Sequence, residues 1–248
     1  MYETNLIEMS TCRKVTALYG LAPQGLGTGQ VESLHSYLAS LAHAHTLAAS
    51  QLLEKMLPSI MRKDYSGTAL LMYWCREAGS KILGTIKLTS EFIESLSEAT
   101  GRKDLACTAL YPLRNFITGE GLFAQVLRHC SDCLEFDVAQ GRLPYHRLLW
   151  HLSEVTCCPI HCISLVKSAC GGSREENLPF GKRKMFPGVC TACGSVAYRC
   201  IDKKMELIQA HSGELWKAKR YSELIAQMNL IPSDLQVVKR LRINNLNI

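Results

Sequence analysis

Cys130-Ser131-Asp132-Cys133 and, 25 positions further on, Cys158-Pro159-Ile160-His161 are the two stretches on which the reading of this chain turns. Two ligand-type residues at i and i+3 can leave a tight turn with both side chains aimed at one point, and two such turns complete a tetrahedron. Three thiolates and one imidazole suit zinc. A closed four-ligand set leaves no open position for water, so the expected site is structural. The spacer contains His146, Arg147, Trp150 and His151. The two histidines are expected to pack or lie at the surface, and Trp150 to bury its ring beside the knuckles, which lack a large core of their own.

Working outward, nine of the 12 cysteines fall between Cys130 and Cys200. No N-terminal segment has the pattern of a signal peptide and no stretch of about 18 apolar residues appears, so a protein of the reducing cytoplasm with no membrane span is expected. In a reducing compartment, thiols clustered at short spacings indicate metal ligands rather than disulfides. Cys12, Cys75 and Cys107 stand apart and are expected to be small buried hydrophobes. A second, less complete constellation is Cys170-Gly171-Gly172 with Cys190-Thr191-Ala192-Cys193. It suggests a second zinc held by Cys170, Cys190 and Cys193. Its fourth ligand is open between Cys200, Cys162 and His211.

The chain has 248 residues, 47% hydrophobic and 20% charged, with a formal net charge of +6. These are ordinary globular values. The mild positive balance permits a nucleic-acid partner without demanding one. Arg174, Lys182, Arg183 and Lys184 lie between Cys170 and Cys190 and are candidate phosphate contacts. Lys217, Lys219 and Arg220 form a second basic set, and Lys239, Arg240 and Arg242 a third. No phosphate-binding Gly-Lys-Ser/Thr loop, Gly-x-Ser-x-Gly turn or His-Glu-x-x-His helix is present, and no catalytic residue is assigned. A non-enzyme is expected.

Apolar periodicity predicts a mainly α fold. The clearest helix runs from Gly29 to His45, with Leu34, Tyr37, Leu38 and Leu41 on one face. Another covers Ala48 to Leu57 and is expected to stop at Pro58. Leu70, Leu71, Tyr73 and Trp74 suggest a further helix. One from Thr89 to Ala99, capped by Thr89 or Ser90, buries Phe92, Leu96 and Ala99 and ends at Gly101. A short helix over Lys103 to Leu110 follows. Later helices are expected at Met205 to His211, Glu214 to Met228 and Ser233 to Leu241. The expected organisation is a helix-turn-helix-like helical domain over 1–125, a zinc-knuckle or zinc-ribbon module over 126–200, and a short C-terminal helical segment over 201–248.

These residues, in this order, resemble the TniQ/TnsD family. Val31-Glu32-Ser33-Leu34-His35-Ser36-Tyr37-Leu38 with Leu41-Ala42 resembles the opening helix of that family. Phe92 to Leu110, with Leu96 and Thr100-Gly101, resembles its next element. Cys130-x-x-Cys133-Leu134, Arg147-x-x-Trp150, Cys158-Pro159-x-His161 and Leu165 follow its zinc signature, and the likeness covers roughly residues 20–200. The resemblance implies a target-selection protein of transposons related to Tn-seven and of CRISPR-associated transposons. It would join target recognition, by an RNA-guided effector such as Cascade with its crRNA, to the AAA+ ATPase TnsC and hence to the transposase. It also allows a homodimer. The alternative is a TnsD-like protein that binds attachment-site DNA itself. The chain departs from the family pattern at Lys167, where the second knuckle usually begins with Cys. It also ends at Ile248, short of the C-terminal DNA-binding extension expected of TnsD, which makes the adaptor the expected role.

Overall fold

The computed structural model describes residues 16–60, 81–117, 121–124, 126–167 and 209–228. These are mainly helical, with one pair of two-residue strands. Helix α1 spans Leu34–Ala44. It begins later than the periodicity suggests because Ser33 caps it: the Ser33 hydroxyl accepts from the Ser36 N–H at 3.3 Å, which satisfies one of the donors a helix start leaves free. Leu34, Tyr37, Leu38 and Leu41 are all fully buried, as their spacing requires.

Helix α2 opens at Ala49–Gln51, widens into a π-type segment at Leu52–Met56 and resumes at Leu57–Ile60. It therefore runs through Pro58, where the sequence suggests a stop. A proline ring collides with the carbonyl four residues back and offers no N–H. The wider π turn ahead of it relaxes both constraints. The expected helix around Leu70 to Trp74 lies outside the described residues, as does the segment from Ser233 to Leu241. Of the expected helix from Met205 to His211 only 209–211 is described, and it is extended instead: Gln209 bridges Ile163 and the Ala210 N–H donates to the Cys162 carbonyl.

Helix α3, Lys87–Thr100, starts ahead of the expected Thr89 or Ser90 cap, with Ile86 in the cap position. Thr89 is buried inside the helix and Ser90 instead donates to Glu94 Oε1 at 2.9 Å. Phe92, Leu96 and Ala99 form its buried stripe. Gly101 closes it at φ +71°, a left-handed cap that glycine adopts without penalty. The expected helix over Lys103 to Leu110 is a 3-10 turn at Leu105–Thr108 with Cys107 buried, followed by another at Tyr111–Leu113.

Strand β1, Arg128–His129, runs directly into helix α4, Ser131–Ala139. Strand β2, Val166–Lys167, pairs antiparallel with β1, Arg128 opposite Lys167 and His129 opposite Val166. A 3-10 turn at Leu148–His151 lies between α4 and the second knuckle, and helix α5 spans Ser212–Gln227. One continuous apolar core includes Leu18, Leu38, Phe92, Leu134, Trp150, Val155 and Ile225. It draws on both ends of the described chain.

Helix α5 docks through a close backbone approach. A Cβ built on Gly29 would stand 1.9 Å from Ser222 Oγ and 2.3 Å from the Ser222 carbonyl oxygen. Backbone cannot yield as a flexible side-chain tip does, so only glycine fits. Gly29→Ala is expected to destabilise the protein by about 1–3 kcal/mol, in the range of overpacked sites, and to raise hydrogen exchange in α5 ahead of α1.

Candidate metal centre

Local structure sets each knuckle. Cys130 occupies the N-cap position of α4 and Cys133 lies in its first turn, so helical geometry turns both side chains to the same side of the helix start. That end of a helix carries partial positive charge and favours thiolates. The second pair sits at the tip of a tight hairpin. The Cys158 N–H donates to the Ile163 carbonyl at 2.8 Å, Cys162 N–H to the Cys158 carbonyl at 3.0 Å, and Leu165 N–H to the Thr156 carbonyl at 2.8 Å. Cys162 turns the hairpin with φ +56°. Pairing of β1 with β2 then brings the two turns face to face.

The result is one compact donor set. The Sγ atoms of Cys130, Cys133 and Cys158 and a ring nitrogen of His161 all lie within 4.8 Å of one another. His161 Nδ1 stands 3.3 Å from Cys130 Sγ, 3.3 Å from Cys133 Sγ and 3.6 Å from Cys158 Sγ, and Cys133 and Cys158 are 3.6 Å apart. Tetrahedral bonds of about 2.3 Å to sulfur and 2.0–2.1 Å to nitrogen give edges of about 3.5–3.8 Å. The four side chains can therefore hold a metal ion with little rearrangement, and the three cysteines are buried.

Three crowded thiols cannot all ionise without such an ion. The Cys158 thiol is held far below its usual range by hydrogen bonds from Cys130 and Cys133 and by the His161 N–H. Cys133 is driven up by its hydrogen bonds to Cys130 and Cys158 and by burial. A divalent cation would displace the remaining protons, because thiolates are the ligating form.

Arg147 braces this arrangement from within. Its guanidinium donates to Asp137 at 2.6 and 2.9 Å, to the Tyr145 carbonyl at 2.8 Å and to the Cys133 carbonyl at 3.5 Å. It also lies 3.9 Å over the Tyr145 ring and 4.8 Å over Trp150. The forked ion pair is fully enclosed, with the Asp137 side chain at 0% exposure and Arg147 at 5%. Trp150 is buried beside this brace, as its place between the knuckles suggests.

A second seam stitches the start of α1 to the same region. Glu32 forms an antiparallel bridge with Arg147, Ser33 N–H donates to the His146 carbonyl and Leu148 N–H to the Val31 carbonyl, both at 2.9 Å. The Glu32 carboxylate is buried and accepts from Ser36 Oγ at 2.8 Å, Ser40 Oγ at 2.9 Å and the Gln24 N–H at 3.1 Å. Burial raises its pKa and these bonds partly offset the rise. Nothing local to Glu32 announces so distant a partner. The recurrence of Glu32, Ser36 and Ser40 at one helical spacing is the available signal.

Of the other expected site residues, Cys162 is half-buried outside the donor set and His211 is exposed, its N–H donating to Glu214 Oε2 at 3.2 Å to begin α5. Cys170, Cys190, Cys193 and Cys200, and the basic residues Arg174, Lys182, Arg183 and Lys184, lie outside the described residues. The cluster of four is the one group of this kind among the described residues.

Sequence reasoning assigns His146 and His151 to packing or the surface and gives His35 and His129 no role. His146 meets the Trp150 ring and His129 meets His146, while His151 stacks on His35; His129 and His35 are buried at 2% and 5% exposure, and His146 and His151 are half-buried. Burial lowers His35 and His151 to a pKa of about 3 and His129 to about 4, and His146 falls well below the usual value. All four are neutral in the folded protein at neutral pH.

A mainly helical body closed by a three-cysteine, one-histidine knuckle pair defines the class: a helical protein organised round a compact metal-ligand set. The TniQ family model matches residues 23–165, more than half of the chain, and the chain belongs to the TniQ family. Membership carries a role in target selection for transposition. No curated protein matches the chain. No helix among the described residues is long and apolar enough to cross a membrane.

Two outcomes follow from the buried charges and rings. Arg147→Met strands Asp137 without its partner, and stability should fall by about 3–5 kcal/mol in urea melts, whereas the Asp137→Leu, Arg147→Met pair should recover part of that loss. Neutral buried histidines also bind fewer protons than unfolded ones. Their contribution is complete above the unfolded pKa of about 6.5 and is lost as pH falls toward the folded value, at about 1.4 kcal/mol per pH unit for each titrating ring. Denaturation between pH 6 and 4 should show this slope, and His35→Leu should be shallower by about one ring.

Proposed function

We propose that this chain is a non-catalytic transposition adaptor in which Cys130, Cys133, Cys158 and His161 hold one structural zinc. The observation that carries the reading is the closure of the donor set: four ligands of zinc's preferred kind at tetrahedral spacing, with every position filled by protein. A saturated ion has no place for a reacting water and supplies cross-linking, not Lewis-acid chemistry. Zinc is favoured over softer or harder ions by the mixed thiolate and imidazole set. Cys170, Cys190 and Cys193 are proposed as a second zinc site, its fourth ligand left open between Cys200, Cys162 and His211.

The surface left by this scaffold then serves docking. The adaptor would connect an RNA-guided effector such as Cascade to the AAA+ regulator TnsC, and through it to the transposase, with two modest contacts on one chain giving a strong link through effective concentration. The helix-turn-helix reading of residues 1–125, the zinc module over 126–200 and the helical segment over 201–248 are proposed as the working units. Arg174, Lys182, Arg183 and Lys184 are proposed nucleic-acid contacts.

The test is affinity purification of the tagged chain from cells carrying its neighbouring operon. Recovery of a guide-RNA complex together with an ATPase supports the adaptor. Recovery of one attachment-site duplex, bound tightly by the purified chain alone, makes it a TnsD-like DNA selector instead. Cys133→Ser should lose the metal and leave residues around the knuckles unfolded, since a site of this kind contributes on the order of 10 kcal/mol to folding. A soluble, partner-competent Cys133→Ser protein would refute the structural zinc.

A further inference from the structure

The histidines around Trp150 form a second polar cluster that the metal centre does not use. His146 meets His129 edge-on with ring centroids 6.2 Å apart and Trp150 edge-on at 5.8 Å. His151 stacks on His35 at 5.7 Å. Together these rings line the seam between α1, β1 and the turn at Leu148–His151. Five nitrogens at this seam are shielded from solvent and have no hydrogen-bond partner among the described residues: Arg128 Nε, His129 Nε2, His146 Nδ1, Trp150 Nε1 and His151 Nε2.

Pairing the rings with one another cannot satisfy this set. The Trp150 indole N–H and the Arg128 Nε–H only donate, each imidazole nitrogen donates or accepts according to its tautomer, and as the rings stand none of the five lies within hydrogen-bonding reach of another. A shared metal ion does not fit either, because no three ligand atoms of the cluster come within 4.8 Å of one another. A water molecule brings two lone pairs and two protons, and buried waters make about three bonds to such groups. We propose that the seam holds a small internal cluster of ordered water, bridging Trp150 Nε1 and Arg128 Nε to the imidazole nitrogens of His129, His146 and His151. The first helix and the metal-holding turns then meet partly through solvent, in addition to the backbone stitching at Glu32 and Arg147.

A high-resolution crystal structure of the full metal-loaded chain, with anomalous data collected, tests this directly. Oxygen-sized peaks about 2.7–3.2 Å from Trp150 Nε1 and from at least one imidazole nitrogen are expected. A continuous, dry interior with the nitrogens paired to protein atoms would overturn the proposal, and so would an anomalous peak marking a metal among these rings. In solution, oxygen-17 relaxation dispersion should count fewer long-lived waters in Trp150→Phe than in the parent. An unchanged count in a folded Trp150→Phe protein would also contradict it.

Discussion

Two turns far apart in the chain converge on one point, and most of the architecture around them serves that convergence. Cys130 and Cys133 are aimed by the start of a helix, Cys158 and His161 by a hairpin tip. Neither element could stand alone. The strands that align them contribute two residues each, and a two-stranded ribbon of that size is not stable in water by itself. Four donors drawing together around an ion would supply what the small sheet cannot, because ligand closure is folding free energy in such modules.

Arg147 extends the constraint into the helical body. A guanidinium that grips Asp137 in α4, touches the Cys133 carbonyl and stacks on Trp150 makes the first knuckle and the spacer one unit. Isolated burial of such a charge is expensive, but the forked carboxylate and the two carbonyls engage both terminal guanidinium nitrogens, leaving Nε alone without a hydrogen bond among the described residues. The bridge between Glu32 and Arg147 then carries the same rigidity to α1. The N-terminal helices and the knuckles are thus held in a fixed relation, which is what a protein needs if two partners are to be presented at set positions on one surface.

Much of this is legible in the amino-acid order alone. The i, i+3 spacing of Cys130 with Cys133 and of Cys158 with His161 singles out the donor set because tight turns impose that spacing. Leu34, Tyr37, Leu38 and Leu41 mark the buried face of α1 by helical period. What escapes depends on pairs distant in sequence. Glu32 and Arg147 lie far apart in the chain, and neither has a neighbour that names the other. Helix ends are misplaced where side chains decide them: Ser33 caps α1 later than its apolar pattern begins, and Ile86 precedes α3 where Thr89 looks the better cap. At Pro58 a π turn absorbs a stop that proline ordinarily enforces. His129 and His146 read as ordinary polar residues because only the fold shows that they share an interior with Trp150.

The central claim is that four protein side chains fill the coordination sphere of one ion. X-ray absorption at the zinc edge of the purified full-length chain tests it most directly. The account predicts a first shell for this ion of three sulfurs at about 2.3 Å and one imidazole nitrogen at about 2.0–2.1 Å, with no water oxygen, and the loss of one sulfur, or of the ion itself, in Cys158→Ser. A shell made of nitrogen and oxygen, or a protein that folds and carries no metal, would contradict it.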